Sequence, residues 1–132
     1  MNVNEKGVKG LIKVIADLQE KGFLIFTSFD DHSPIDLIAV DKQGMSYRFQ
    51  VKYRTKDPQK IKERYCIQAT SVINGKKVAI DRSMIDGWAV YLSNSDKVVY
   101  INKKLLEGKK ELTIDPEKDY GDVAEWFKAA SC

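Results

Sequence analysis

The stretch RFQVKYR, residues 48–54, alternates strictly between polar and apolar side chains. Arg48, Gln50 and Lys52 fall on one face of an extended chain, and Phe49, Val51 and Tyr53 on the other. Such alternation marks a β-strand that buries one face. What the polar face meets, water or an acid on the next strand, decides how the chain is read.

The preceding segment, IDLIAVD (35–41), alternates in the same way and is joined to it through Lys42-Gln43-Gly44. With Gly44 in the left-handed position of a three-residue hairpin loop, Ile35 lies opposite Val51, Leu37 opposite Phe49 and Ala39 opposite Tyr47. A slip by one residue would turn Asp36 onto the core face, so the apolar pattern selects this register. Asp36 then lies opposite Gln50, and Lys52 follows on the same face. An aspartate, a second oxygen donor and a lysine are what metal-assisted hydrolysis of a phosphodiester requires. Hard oxygens hold Mg²⁺, and an ammonium orients water or neutralises charge on phosphorus. The same residues also make an ordinary surface ion pair beside a wet glutamine, and spacing alone leaves the two readings even.

Around this hairpin, residues 4–21 carry an apolar stripe of Val8, Leu11, Ile12, Val14, Ile15 and Leu18 at helical spacing, stopped by Gly22. FLIFTSF (23–29) reads as a buried strand and DDHSP (30–34) as a turn-rich loop. Residues 54–63 read as an irregular or briefly helical basic segment around Pro58. RYCIQATSVI (64–73) and KKVAI (76–80), joined by Asn74-Gly75, read as a second hairpin with Ile73 opposite Lys76 and Ser71 opposite Val78. Tyr65, Ile67, Ala69, Val78 and Ile80 would share its buried face, and Arg64, Gln68, Thr70, Lys77 and Asp81 its polar one. DRSMID (81–86) reads as a helical turn, WAVYLS (88–93) and KVVYIN (97–102) as paired strands, KKLLEG (103–108) as a short helix and DVAEWFKAA (122–130) as a terminal helix. Trp88, Tyr91, Tyr100 and Trp126 are expected to fill the core. His32, the one histidine, makes no zinc site by itself.

A chain of 132 residues, 43% apolar, builds one core and is too short for two comfortable ones, so residues 1–132 read as a single α/β domain. Its apolar runs fall far short of the roughly 20 residues that cross a bilayer. MNVNEKGVKG (1–10) has no secretory apolar segment, and Cys66 and Cys132 offer neither a disulfide framework nor a metal cluster. An intracellular location, in a bacterial or organellar cytoplasm, is expected, with no membrane partner. The net charge of +3 says little, but residues 52–64 hold six Lys or Arg against two acids, and Lys76 and Lys77 add two more. Such a run is ordinarily a solvated loop; beside a nuclease site it becomes a phosphate-binding flank.

SPIDLIAV (33–40) with FQVKYR (49–54) resembles the motif of the PD-(D/E)xK nuclease superfamily, with Asp36 as the motif aspartate and Gln50-Val51-Lys52 in the (D/E)xK place. The helix-first layout of KGVKGLIKVIADLQEKGFLIF (6–26) is also similar to the entry of that fold. Among its branches the chain looks most like the intron-encoded homing endonucleases of cyanobacterial type, whose third element is QxK; archaeal Holliday-junction resolvases are more distant. The resemblance covers residues 4–54 well and the remainder in its strand–helix order. It implies a restriction-endonuclease-like mixed sheet flanked by helices, with a catalytic core of about 4–54 plus 87–101 and a DNA-contacting part of about 54–81. It further implies Mg²⁺-dependent cleavage of double-stranded DNA by a homo-oligomer, dimer or tetramer, with Asp36, Gln50 and Lys52 catalytic. Asp36, Gln50 and the Val51 carbonyl would hold the metal, in a one- or two-metal site. One departure stands out: the first helix of the family carries a glutamate directly after its KGxxG start, and here Leu11 occupies that place. A catalytically weakened nuclease follows; a junction resolvase and a DNA-binding module without catalysis are the alternatives.

In that setting Arg54, Lys56, Lys60, Lys62 and Arg64 of the basic segment, with Lys76 and Lys77, would contact phosphates. The polar face of the second hairpin, with Arg64, Gln68, Thr70 and Lys77, would read base edges in the major groove.

Overall fold

Helix α1 (Val3–Glu20) starts where the Asn2 side chain accepts a 2.8 Å hydrogen bond from the Glu5 N–H. It ends just before Gly22, whose φ of +90° reverses the chain. Its buried residues Gly10, Val14 and Leu18 lie four apart on one line. Gly10 is where helix and sheet touch: a Cβ there would come within 3.3 Å of the Tyr53 Cβ. The stripe read from the sequence is narrower than expected, because Val8 and Ile12 are exposed while Leu11 and Ile15 are only half-buried.

The computed structural model describes residues 1–30, 32–73 and 75–126, apart from the side chains of 71–73. Five strands, β1 (Leu24–Thr27), β2 (Leu37–Val40), β3 (Ser46–Arg54), β7 (Gly87–Leu92) and β8 (Lys97–Asn102), form the main sheet in the order β1-β2-β3-β7-β8. The β3–β7 pair is parallel and the other three are antiparallel. The β2–β3 register is the one the sequence required, Leu37 against Phe49 and Ala39 against Tyr47, and Gly44 sits at φ +83° in the turn. β1 is not the buried strand expected of residues 23–29. It lies at the sheet edge, with Leu24 and Phe26 exposed.

Between β3 and β7 the chain makes β4 (Tyr65–Gln68), β5 (Thr70–Ile73) and β6 (Lys76–Ala79), and β9 (Glu111–Ile114) follows β8. The expected hairpin register holds where β5 meets β6, with Ile73 against Lys76 and Ser71 against Val78; Asn74 lies outside the described residues. The hairpin is not continuous, however. β4 turns away to pair with β9, Tyr65 against Ile114 and Ile67 against Leu112. Ala69 marks the break: its N–H donates to the Lys110 carbonyl, and its own carbonyl accepts the Ile80 N–H. Tyr65, Ile67 and Ala69 are buried as expected, whereas Val78 is exposed on the separate two-stranded β5–β6 sheet.

Both faces of the main sheet are therefore covered. On one, Val14 and Leu18 of α1 pack with Leu37, Phe49, Ala89 and Tyr100. On the other, Tyr65, Ile67 and Ile114 of the small sheet pack on Trp88, Val90 and Ile101. All six residues of β7 are buried, as befits a strand with neighbours on both faces. Trp88, Tyr91, Tyr100 and Trp126 belong to the interior. The segments 81–86 and 103–108 hold single 3₁₀ turns, Arg82–Met84 and Lys103–Leu106. Of the expected terminal helix, a 3₁₀ turn is seen at Val123–Glu125, and residues 127–132 lie outside the described residues.

Gly87 opens β7 at the tightest point of this packing, where a Cβ would collide with the Ile101 carbonyl and the Trp126 ring. Backbone cannot yield as a side chain does, so Gly87→Ala should cost about 3 kcal/mol in urea unfolding, at the upper end of overpacking penalties. A loss below about 1 kcal/mol would show that the Trp126 contact is loose.

Candidate functional site

The β2–β3 ladder ends at Leu37 and Phe49. Asp36 still donates its N–H to the Phe49 carbonyl at 2.8 Å, but the next strand amide, that of Val51, has no backbone partner on this side. The Asp36 carboxylate replaces it: Oδ2 accepts the Val51 N–H at 2.7 Å. Oδ1 accepts no hydrogen bond among the described residues. Burial pushes the Asp36 pKa up, and the Val51 hydrogen bond and the Lys52 charge pull it back only in part. The N–H and C=O of a strand residue point to the same edge, so the Val51 carbonyl opens beside Asp36.

The parallel pairing of β3 with β7 sets Gln50 beside Trp88 and Lys52 beside Val90. Gln50 is only 7% exposed, and its Oε1 accepts the Trp88 indole N–H at 3.0 Å. An indole N–H only donates, so this bond fixes which end of the amide is oxygen. Lys52 is 9% exposed and donates from Nζ to the Thr70 carbonyl at 3.1 Å, tying the floor of the site to the start of β5. Burial, followed by the charge of Arg54, lowers the Lys52 pKa to about 8, against the pull of Asp36. The polar face of β3 is thus neither solvated nor a simple ion pair. It is roofed by the small sheet, and Asp36, Gln50, Val51 and Lys52 line one cleft of about 640 Å³.

Three oxygen donors converge around Asp36: its carboxylate, the Gln50 amide and the Val51 carbonyl, while His32 and Asp81 line the same cleft from its outer loops. Among the described residues no three His, Cys, Asp or Glu side chains gather as a metal cage. The set suits a hard ion that keeps its waters and shares a substrate phosphate, as Mg²⁺ does, and the uncommitted Oδ1 of a half-buried aspartate is a natural first ligand. Leu11 lines a second lobe of about 590 Å³ that shares Asp36 and Val51 with the first. Asp30 lines the same lobe.

Of the cations and amides expected at DNA, Arg54, Gln68, Thr70 and Lys77 line the main cleft. Arg54 is braced, donating to the Cys66 carbonyl at 3.0 Å and the Tyr53 carbonyl at 2.8 Å, and Lys77 donates to Gln68 Oε1 at 3.2 Å. Lys56, Lys60 and Lys62 are exposed on the loop after β3, outside the cleft, and Lys76 is exposed near the hairpin turn. Arg64 pairs with Asp115 at 3.4 Å. Sequence reasoning missed Lys6, which lines the cleft from the second turn of α1, although the KGVKG segment was its signal. It also missed Trp88 as the partner of Gln50, and the clamp of Asp86 on Arg48, whose N–H donates to Asp86 Oδ2 at 2.8 Å.

The sequence matches the PD-(D/E)XK endonuclease family over residues 1–126, nearly the whole chain. The chain belongs to that family. The solved structure of a bacterial homing endonuclease, I-Ssp6803I, superposes with a TM-score of 0.73, covering 94% of this chain and 86% of that one at 13% identity. At that identity the likeness is one of fold. Among curated proteins no sequence matches. A lysine buried in the cleft carries a stability cost.

That cost has a measurable sign. The folded pKa of Lys52 lies below its unfolded value, so the unfolded chain binds more protons between about pH 8 and 10.5, and stability rises with pH across that window. The penalty at neutral pH is roughly 3 kcal/mol. The lost Thr70 hydrogen bond and the weaker support of Asp36 offset part of it in a Lys52→Met variant. The variant should still be more stable than the parent by about 1–2 kcal/mol below pH 8, with the gap closing as pH approaches the unfolded value. Urea unfolding of both chains from pH 6 to 10.5 measures this, and a variant less stable at neutral pH would contradict it.

Proposed function

We propose that the chain is a site-specific double-stranded DNA endonuclease of the homing type that hydrolyses phosphodiester bonds with Mg²⁺. The observation that carries this reading is the convergence of Asp36, Gln50, Val51 and Lys52 on one cleft in a PD-(D/E)XK fold. Asp36 Oδ1, the Val51 carbonyl and Gln50 Oε1 would hold the ion, which when bound supplies an acidified water and neutralises charge on phosphorus. Lys52, with its pKa lowered to about 8, exchanges a proton readily near neutral pH. It orients the attacking water and stabilises the oxygens of the phosphorus centre as one P–O ester bond breaks.

Lys6, Arg54 and Lys77 around the cleft bind the flanking phosphates, while Lys56, Lys60 and Lys62 form an outer cationic loop that extends the contact. Gln68 and Thr70 at the cleft wall face the grooves. Cutting two strands with one site per chain calls for a homo-oligomer, at least a two-fold dimer. The shared fold with I-Ssp6803I, itself a bacterial homing endonuclease, supports the same reading. Leu11 supports a second one, a chain with weakened or lost catalysis that still binds DNA, because an apolar side chain lines the lobe beside Asp36 where the family motif places a glutamate.

Selection of cleaved sequences from a randomised duplex pool, in Mg²⁺ and in Mn²⁺, tests the proposal. A defined target should emerge, and Lys52→Ala and Asp36→Asn should each lower its cleavage by about 100-fold or more while duplex binding persists. Leu11→Glu should raise cleavage and lower the Mg²⁺ concentration needed. Binding without cleavage by the parent, by Lys52→Ala and by Leu11→Glu alike would establish the binding module. Preferential cutting of cruciform over linear DNA would establish the resolvase.

A further inference from the structure

Two large apolar side chains, Phe29 and Ile61, are fully exposed among the described residues, each at 105% relative accessibility. Ile61 sits on the outer basic loop, away from the cleft. Phe29 does not. Its neighbours Ser28 and Asp30 line the lobe shared with Leu11, and Ser33 and Pro34 of the same loop line the main cleft. The loop is tied to the site where the Ser28 N–H donates to the carbonyl of Asp36 itself at 3.1 Å. Phe29 is the next residue, about 4 Å further along the chain. A phenyl group on that residue stands in water next to the loop that flanks Asp36.

The described residues of the loop are linked by hydrogen bonds. The Ser28 hydroxyl donates to the Asp30 carbonyl at 3.0 Å and accepts the Asp30 N–H at 3.2 Å. Asp30 Oδ1 takes the His32 N–H at 2.9 Å, and the Asp30 carbonyl takes the Ser33 N–H. A phenyl ring held wholly in water, between two residues that line a lobe beside Asp36, offers a surface suited to the flat apolar faces of bases.

We propose that Phe29 is a wedge that enters the base stack of duplex DNA beside the bound phosphate, unstacking one step and bending the duplex onto the cleft. This rests on the nuclease reading above and adds a specificity element to it. Steps that unstack easily, pyrimidine followed by purine, would be favoured next to the cut without any hydrogen bond to a base. Phe29 acts on the DNA and not on the reacting atoms, so it is a positioning residue.

The test compares binding, without divalent ion, of a fully paired duplex of about 30 base pairs and the same duplex with one central mismatch. A wedge finds a mismatched step already weakened, so the parent chain should bind the mismatched duplex about tenfold more tightly. Phe29→Ala should bring that ratio close to one with an unchanged Tm, because the ring is wholly exposed, and Phe29→Trp should keep it. Equal ratios for parent and Phe29→Ala would overturn the wedge and leave the nuclease reading intact. Failure of the parent to bind either duplex would overturn both.

Discussion

The Val51 N–H sits on the central strand of the five-stranded sheet, on the side where β2 has stopped pairing. A buried amide without an acceptor costs about 1–3 kcal/mol, and the Asp36 carboxylate removes that cost at 2.7 Å. The consequence reaches the geometry of the cleft. An acid that would otherwise turn outward is pinned against the strand, one oxygen committed and the other open, beside a carbonyl on the same edge. On the far side of β3 the parallel pairing with β7 completes the set, giving Gln50 its indole partner and Lys52 its place over the core.

The double cover of the sheet explains why these polar groups are tuned rather than merely present. With α1 on one face and the β4–β9 sheet on the other, water is kept from the polar face of β3. Burial raises the pKa of Asp36 and lowers that of Lys52, drawing both toward neutrality from opposite ends. An apolar residue in the place of Lys52 would be the cheaper choice for stability alone. The β5–β6 hairpin is joined to the site through the Thr70 carbonyl, which holds the lysine.

Much of this was legible in the sequence, for identifiable reasons. The β2–β3 register followed from alternation on both strands and from Gly44, and Asp36, Gln50 and Lys52 followed from the register. The cover over the polar face was not legible. It depends on Tyr65–Gln68 leaving its neighbouring hairpin for a four-residue strand, ELTI, more than forty residues later, a pairing set by burial of Tyr65 and Ile67 and not by any local signal. For the same reason Gln50 looked wet, and Trp88 looked like core alone. The exposure of β1 was hidden because FLIFTSF is apolar on both faces, a pattern that an edge strand shares with a buried one. The basic run of 52–64 was readable as charge, but only folding separates Arg54, inside the cleft, from Lys56, Lys60 and Lys62 outside it.

The central claim is that Asp36, with its strand-edge companions, is the anchor of a divalent-ion site completed by DNA. Electron paramagnetic resonance of Mn²⁺, titrated against the chain with and without a phosphorothioate duplex, addresses it most directly. Binding of about one or two ions per chain is expected, tightened by duplex and lost in Asp36→Asn. Mn²⁺ spectra that are the same for the parent and for Asp36→Asn, with duplex present, would contradict it.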